Sequence, residues 1–187
     1  MRLIAALMLV LGMAGAAAAS ANADLGPALG SPVPAIGTPL DSAGTPRTMA
    51  SLTGEKGVVL VFYRSAAWCP YCQAQLIEIN DGLGEIEKRG YTVAGISYDD
   101  PATGAAFSRK RGIGYPLVSD PKSEIIDRFG VRDPQYPPGS MAHGVPRPII
   151  LVLDPQGVVL AKLYEESVAK RPPVGLIVET LDGLAAR

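Results

Sequence analysis

Histidine occurs once in this chain and cysteine twice, at His143, Cys69 and Cys72. That scarcity excludes most protein metal centres, because a structural zinc site takes four nitrogen or sulfur ligands. Covalent haem attachment is excluded too: it needs histidine directly after the second cysteine, and Gln73 stands there. An excess of charge of one sign is also missing. Lys and Arg number 17 against 18 Asp and Glu, a net charge of −1, with no block of like charges. Nothing in that balance points to nucleic acid or to an acidic partner. The apolar run over residues 3–13 is too short for a typical membrane span, and the chain has no internal repeat.

What the chain does contain is the box Trp68-Cys69-Pro70-Tyr71-Cys72. Before it lies Val58-Val59-Leu60-Val61-Phe62-Tyr63, a short β-branched and aromatic run that reads as a buried strand. After it, Leu76, Ile79 and Leu83 fall at helical spacing in a good helical composition, which predicts a helix ending near Arg89 and Gly90. Pro70 suits a first helical turn. The two cysteines are thus expected at the start of a helix, just past a strand. Free N–H groups and the helix dipole there favour thiolate over thiol. Two intervening residues bring the sulfurs within bonding reach, so the pair can switch between dithiol and disulfide. As a purely structural bridge it would stabilise little, since closing so short a loop removes little chain entropy.

The remainder reads as one domain over residues 24–187, behind a processing segment over 1–23. Arg2 supplies a positive start, the run 3–13 an apolar centre, and Ala19-Ser20-Ala21 and Ala21-Asn22-Ala23 small-residue cleavage patterns. This predicts a cleavable secretory signal, with an uncleaved anchor as the rival. It implies a periplasmic location, where disulfides persist, and no membrane span after cleavage. Further strands are expected over 91–97, 117–118, 149–153 and 158–163, and helices over 49–52, 101–111, 122–129 and 172–186. Residues 41–44 and 154–157 carry turn chemistry. Strand, helix, strand implies a parallel pair with a right-handed crossover. Residues 131–147 form a loop rich in Pro and Gly, longer than usual.

Three stretches carry a family resemblance. They are the W-C-P-Y-C box, then Gly95-Ile96-Ser97-Tyr98-Asp99-Asp100-Pro101 with Tyr115-Pro116-Leu117-Val118-Ser119-Asp120-Pro121, then Ile125-Ile126-Asp127-Arg128-Phe129-Gly130-Val131. In that order the chain resembles the thioredoxin-like superfamily, and within it the redoxins of the alkyl hydroperoxide reductase/thiol-specific antioxidant (AhpC/TSA) group. The resemblance covers roughly residues 31–185. It implies an α/β thioredoxin fold: a mixed central sheet with helices on both faces and an N-terminal hairpin extension. It also implies a cis-proline opposite the cysteines, at Pro148 with Pro146 as competitor, and an arginine near the thiolate, for which Arg147 and Arg64 qualify. Trp68, Pro70 and Tyr71 then become substrate contacts, and no cofactor is needed.

The same resemblance leaves the activity divided. With Cys72 in the peroxidatic position of a peroxiredoxin, the threonine of that signature is replaced by Cys69, and its proline by Arg64 or Ser65. Gln75 stands where periplasmic reductases of the TlpA or ResA type carry glutamate, and an amide cannot act as a base. The motif therefore predicts first a thiol–disulfide oxidoreductase. In that reading Cys69, the more exposed thiol, attacks a partner's disulfide and Cys72 resolves the mixed disulfide. The alternative is a peroxiredoxin-like reductase in which Cys72, or else Cys69, attacks peroxide. A non-enzymatic alternative is Sco-like copper binding through the cysteines and His143. The expected partners are accordingly a protein disulfide or dithiol, or a peroxide.

Overall fold

A computed structural model describes residues 25–167 and 169–186, and the predicted signal segment lies outside them. The apolar run after Lys56 becomes the central strand β1, Gly57–Phe62, with all six residues buried. Alternating side-chain directions send Val59, Val61 and the following Tyr63 into one core. Val58, Leu60 and Phe62 enter another. A strand apolar on both faces needs cover on both. Its first residue must be glycine: φ is 135°, and a Cβ there would lie 1.9 Å from the Leu153 carbonyl oxygen.

Strand β2, Tyr91–Ser97, runs parallel to β1, and β3, Leu117–Ser119, runs parallel to β2. Strand β4, Ile149–Leu153, lies antiparallel on the other side of β1, and β5, Val159–Leu163, is antiparallel to β4. The order β3-β2-β1-β4-β5 gives the expected mixed sheet of a thioredoxin-type fold. Helices α1 (Met49–Leu52) and α5 (Glu124–Arg128) contribute Leu52, Ile125 and Ile126 to the core beneath Phe62. Helices α2 (Pro70–Asp81), α3 (Leu83–Glu87), α4 (Pro101–Arg111) and α6 (Val174–Ala185) line the opposite core through Leu76, Ile86, Phe107 and Ile177. The hairpin extension is a tight turn whose Leu40 and Pro46 bridge, with Asp41 bridging on to Val118 at the sheet edge. The Asp41 carboxylate accepts from Ala43 N, Thr45 N and Arg47 Nε at 2.8, 2.9 and 2.6 Å.

Three expectations need correction. The helix predicted to run to residues 89–90 breaks at Gly82. The start of α6 docks there: a Cβ on Gly82 would lie 2.5 Å from Val174 Cγ2, and Glu78 Oε1 accepts the Val174 N–H at 2.9 Å. Helices α5 and α6 are shorter than predicted, since Ser123 is left-handed at φ 57° and Pro173 is the extended N-cap of α6. Finally, no peptide bond among the described residues is cis, so neither Pro148 nor Pro146 is a cis-proline. The reason lies in the ladder that the loop makes with itself. Pro146 bridges Arg132, and Arg147 N–H donates to the Val131 carbonyl at 2.7 Å. An extended trans chain then carries straight into β4. No helix among the described residues is long and apolar enough to cross a membrane.

Candidate active site

The site is built where β1 ends. Beyond Phe62 the chain passes through buried Tyr63, Arg64, Ser65 and Ala66 before surfacing at Ala67 and Trp68. Asp99, two residues past β2, holds this stretch: its carboxylate accepts from Ser65 Oγ and Ala66 N, each at 2.7 Å. Burial pushes the Asp99 carboxyl above the usual range, although these hydrogen bonds pull the other way. On the opposite side Gln73 Nε2 donates to the Ala66 and Ala67 carbonyls at 2.8 and 3.1 Å. The loop bearing the cysteines is thus clamped by a carboxylate just past β2 and an amide from α2.

As expected, Pro70 opens α2. Cys69 is the N-cap, its Sγ accepting from Cys72 N–H at 3.2 Å. The two cysteines are joined as a disulfide, with Cα atoms 5.2 Å apart. Cys69 is the more exposed of the two, as expected, but both sulfurs are buried. Cys69 is 3% exposed and Cys72 0%, both inside the cluster that contains Tyr63, Ala66 and Leu76. The exposed groups are their neighbours: Trp68 at 45% and Tyr71 at 52%.

Two arginines reach the sulfurs. Arg64 backbone N–H donates to Cys72 Sγ at 3.4 Å. Its guanidinium lies 5.0 Å from the Trp68 ring centre and 4.9 Å from that of Tyr136, and donates to the Tyr136 hydroxyl at 2.5 Å. Trp68 is fixed in turn by Nε1–H donating to Tyr98 Oη at 2.9 Å. The second arginine was not anticipated. Arg171, in the connection from β5 to α6, places Nη2 3.4 Å from Cys72 Sγ and 3.8 Å from Cys69 Sγ. Burial, and then the charge of Arg64, lower its pKa to about 10.

Other expected residues sit elsewhere. Arg147 is half-buried and gives its backbone N–H to Val131, with no hydrogen bond to either sulfur among the described residues. Pro148, also half-buried, leads directly into β4. Gln75 is buried one turn beyond Cys72, and its Oε1 has no hydrogen-bond partner among the described residues. His143 lies with Nδ1 3.0 Å from the Tyr136 carbonyl oxygen and Nε2 3.4 Å from Arg132 Nη1. Among the described residues no three His, Cys, Asp or Glu side chains converge to hold a metal.

Comparison with known proteins places the chain in a family. The profile of the AhpC/TSA family matches residues 29–162. Peroxiredoxin bcp1 of Schizosaccharomyces pombe is 34% identical over 86 residues, 46% of this chain and 44% of its own. Peroxiredoxin Bcp of Escherichia coli K12 is 31% identical over 101 residues, 54% of this chain and 64% of its own. The chain therefore spans less than two thirds of the length of both relatives. The crystal structure of peroxidoxin BcpB from Mycobacterium tuberculosis superposes with a TM-score of 0.69 at 28% identity, covering 87% of this chain and 97% of that one.

Proposed function

This chain belongs to the AhpC/TSA family, and from that premise we propose that it is a thiol peroxidase whose reacting sulfur is Cys72. The observation that carries the reading is the pair of donors converging on that atom: Arg64 N–H and Arg171 Nη2, each 3.4 Å from Cys72 Sγ. Both favour the charged thiolate over the thiol. In the reaction, the Cys72 thiolate attacks one oxygen of a hydroperoxide. The S–O bond forms, the O–O bond breaks, and the leaving alkoxide or hydroxide takes a proton to become alcohol or water. The Cys69 thiol then attacks the sulfenic sulfur, closing the disulfide and releasing water. A dithiol partner returns two electrons by exchange, becoming a disulfide itself.

This order reverses the one expected from the motif. The missing threonine hydroxyl counted against peroxide chemistry, but the relatives of this chain are peroxiredoxins by name. Disulfide exchange remains the second reading, favoured by exposed Trp68 and Tyr71 beside buried sulfurs, an arrangement suited to a docking protein chain. Stopped-flow oxidation by hydrogen peroxide, set against reduction of insulin disulfides, separates the two. We expect a second-order rate well above that of a free thiol, and a sulfenic acid trapped on Cys72 in the Cys69→Ser variant. A rate no better than a free thiol sinks the peroxidase reading. Export to the periplasm is part of the same proposal and rests on the pattern over residues 1–23. Fractionation of cells with and without that segment tests it.

A further inference from the structure

We propose that Arg171 is a catalytic residue of the cysteine pair: it binds the Cys72 sulfur as a thiolate once the disulfide is reduced, and so sets that thiol's acidity and the redox poise of the pair. The inference deepens the function proposed above and rests on its choice of Cys72 as the reacting sulfur. It does not depend on peroxide being the oxidant.

Arg171 comes from a distant part of the chain, 99 residues beyond Cys72, yet its position is fixed relative to α2. Pro172 and Pro173 follow it, Pro173 is the N-cap of α6, and the next residue, Val174, is pinned to α2 through Glu78 and Gly82. The guanidinium is therefore anchored to the helix that carries the sulfurs, which is what a preorganised charge requires. In the disulfide state it faces sulfurs that carry no charge, and its neighbour Arg64 is also a cation. Burial and that neighbour disfavour the charged guanidinium, as its lowered pKa reports. Reduction changes the balance. An external dithiol gives two electrons to the S–S bond and becomes a disulfide. Cys69 leaves as a thiol, Cys72 as a thiolate, and one proton is released. A full negative charge then falls on a sulfur that lies 3.4 Å from Nη2 in the disulfide state and is wholly buried, where water screens it little. Because Arg171 gains more from the thiolate than from the bridge, it shifts the equilibrium toward the reduced pair and makes the disulfide more oxidising.

The test uses the reduced full-length protein carrying Arg171→Met, with Arg171→Lys as the conservative rescue. Arg171→Gln repeats the measurement with a polar, uncharged head should Met not fold. Iodoacetamide labelling of Cys72, read by mass spectrometry across pH, is expected to move its midpoint up by about one pH unit in the Met and Gln variants and to stay near wild type in the Lys variant. The equilibrium constant against glutathione is expected to shift about tenfold toward the disulfide, about 30 mV for a two-electron couple. A labelling midpoint and an equilibrium both unchanged in the uncharged variants overturn the proposal, even if wild-type protein reduces peroxide rapidly. Slow peroxide reduction by wild type with shifted midpoints removes the peroxidase reading and leaves the role of Arg171 standing.

Discussion

Helices α2, α4 and α5 follow the three parallel strands β1, β2 and β3, and their first turns are satisfied in two different ways. At α4 the Asp100 carboxylate accepts from Thr103 N–H at 2.7 Å. At α5 the Asp120 carboxylate accepts from the N–H groups of Glu124, Ile125 and Ile126, each at 2.9 Å. At α2 the acceptor is the Cys69 sulfur, at 3.2 Å. A carboxylate makes a short, charge-assisted bond at a helix start, whereas a bridged sulfur is a weak, uncharged acceptor. Two of the three junctions are thus built for stability. The third exchanges the strong acceptor for an atom pair that gains charge when reduced. The electropositive end of α2, with Arg64 and Arg171 beside it, faces an uncharged acceptor while the bridge is intact.

Substituting the atoms that set α2 apart should have the largest consequence. Cys72→Ser is expected to reduce dithiol-dependent peroxide consumption to the level of a protein-free control while a thermal melt still shows a folded chain. Cys69→Ser should consume one equivalent of peroxide and then stop, because the sulfenic acid has no neighbour to close on. Equal turnover by both variants and wild type would mean that the junction is only structural. The carboxylate junctions should respond in stability alone. Asp120→Ala strands three N–H groups, two of them buried, and is expected to cost on the order of 3 kcal/mol in urea unfolding, without moving the labelling midpoint of Cys72. Asp100→Ala, at an exposed cap, should cost about 1 kcal/mol.

Most of this architecture is legible along the chain because it is written in short patterns. The buried run 58–63, the turn at Asp41, the box at 68–72 and the hairpin around Asp154 each lie within one segment. What stays hidden is whatever needs two distant segments to meet. Arg171 sits in a stretch with no periodicity, and only the anchoring of α6 on α2 carries it to Cys72; its one local signal is the Pro172-Pro173 pair that follows. The break at Gly82 has the same cause, since residues 83–87 read as more of the same helix until Val174 arrives. Arg147 qualified through the resemblance, as the neighbour of the expected cis-proline, yet its backbone is spent on the ladder with Val131. Tyr136, which receives the Arg64 guanidinium, lies in the loop where composition gives no register.

The smallest expected effect separates the two aspartate junctions from each other. Burial raises the Asp120 carboxyl above the ordinary aspartate value, despite its three N–H partners. Asp100 is lowered, first by the Thr103 backbone N–H and then by the Thr103 hydroxyl. Where the folded value is raised, the native chain holds more protons than the unfolded one between the two values. The stability from Asp120 is then fully present below its unfolded value and declines as pH rises through the folded one. For Asp100 the sign is opposite: its contribution is present above the unfolded value and is lost as pH falls through the folded one. The Asn variants titrate at neither position. In urea midpoints measured from about pH 7 down to about pH 3, the penalty of Asp120→Asn should therefore grow and that of Asp100→Asn should shrink. Parallel trends in the two variants would show that the buried cap is as well solvated as the exposed one, and that only the sulfur junction differs in kind.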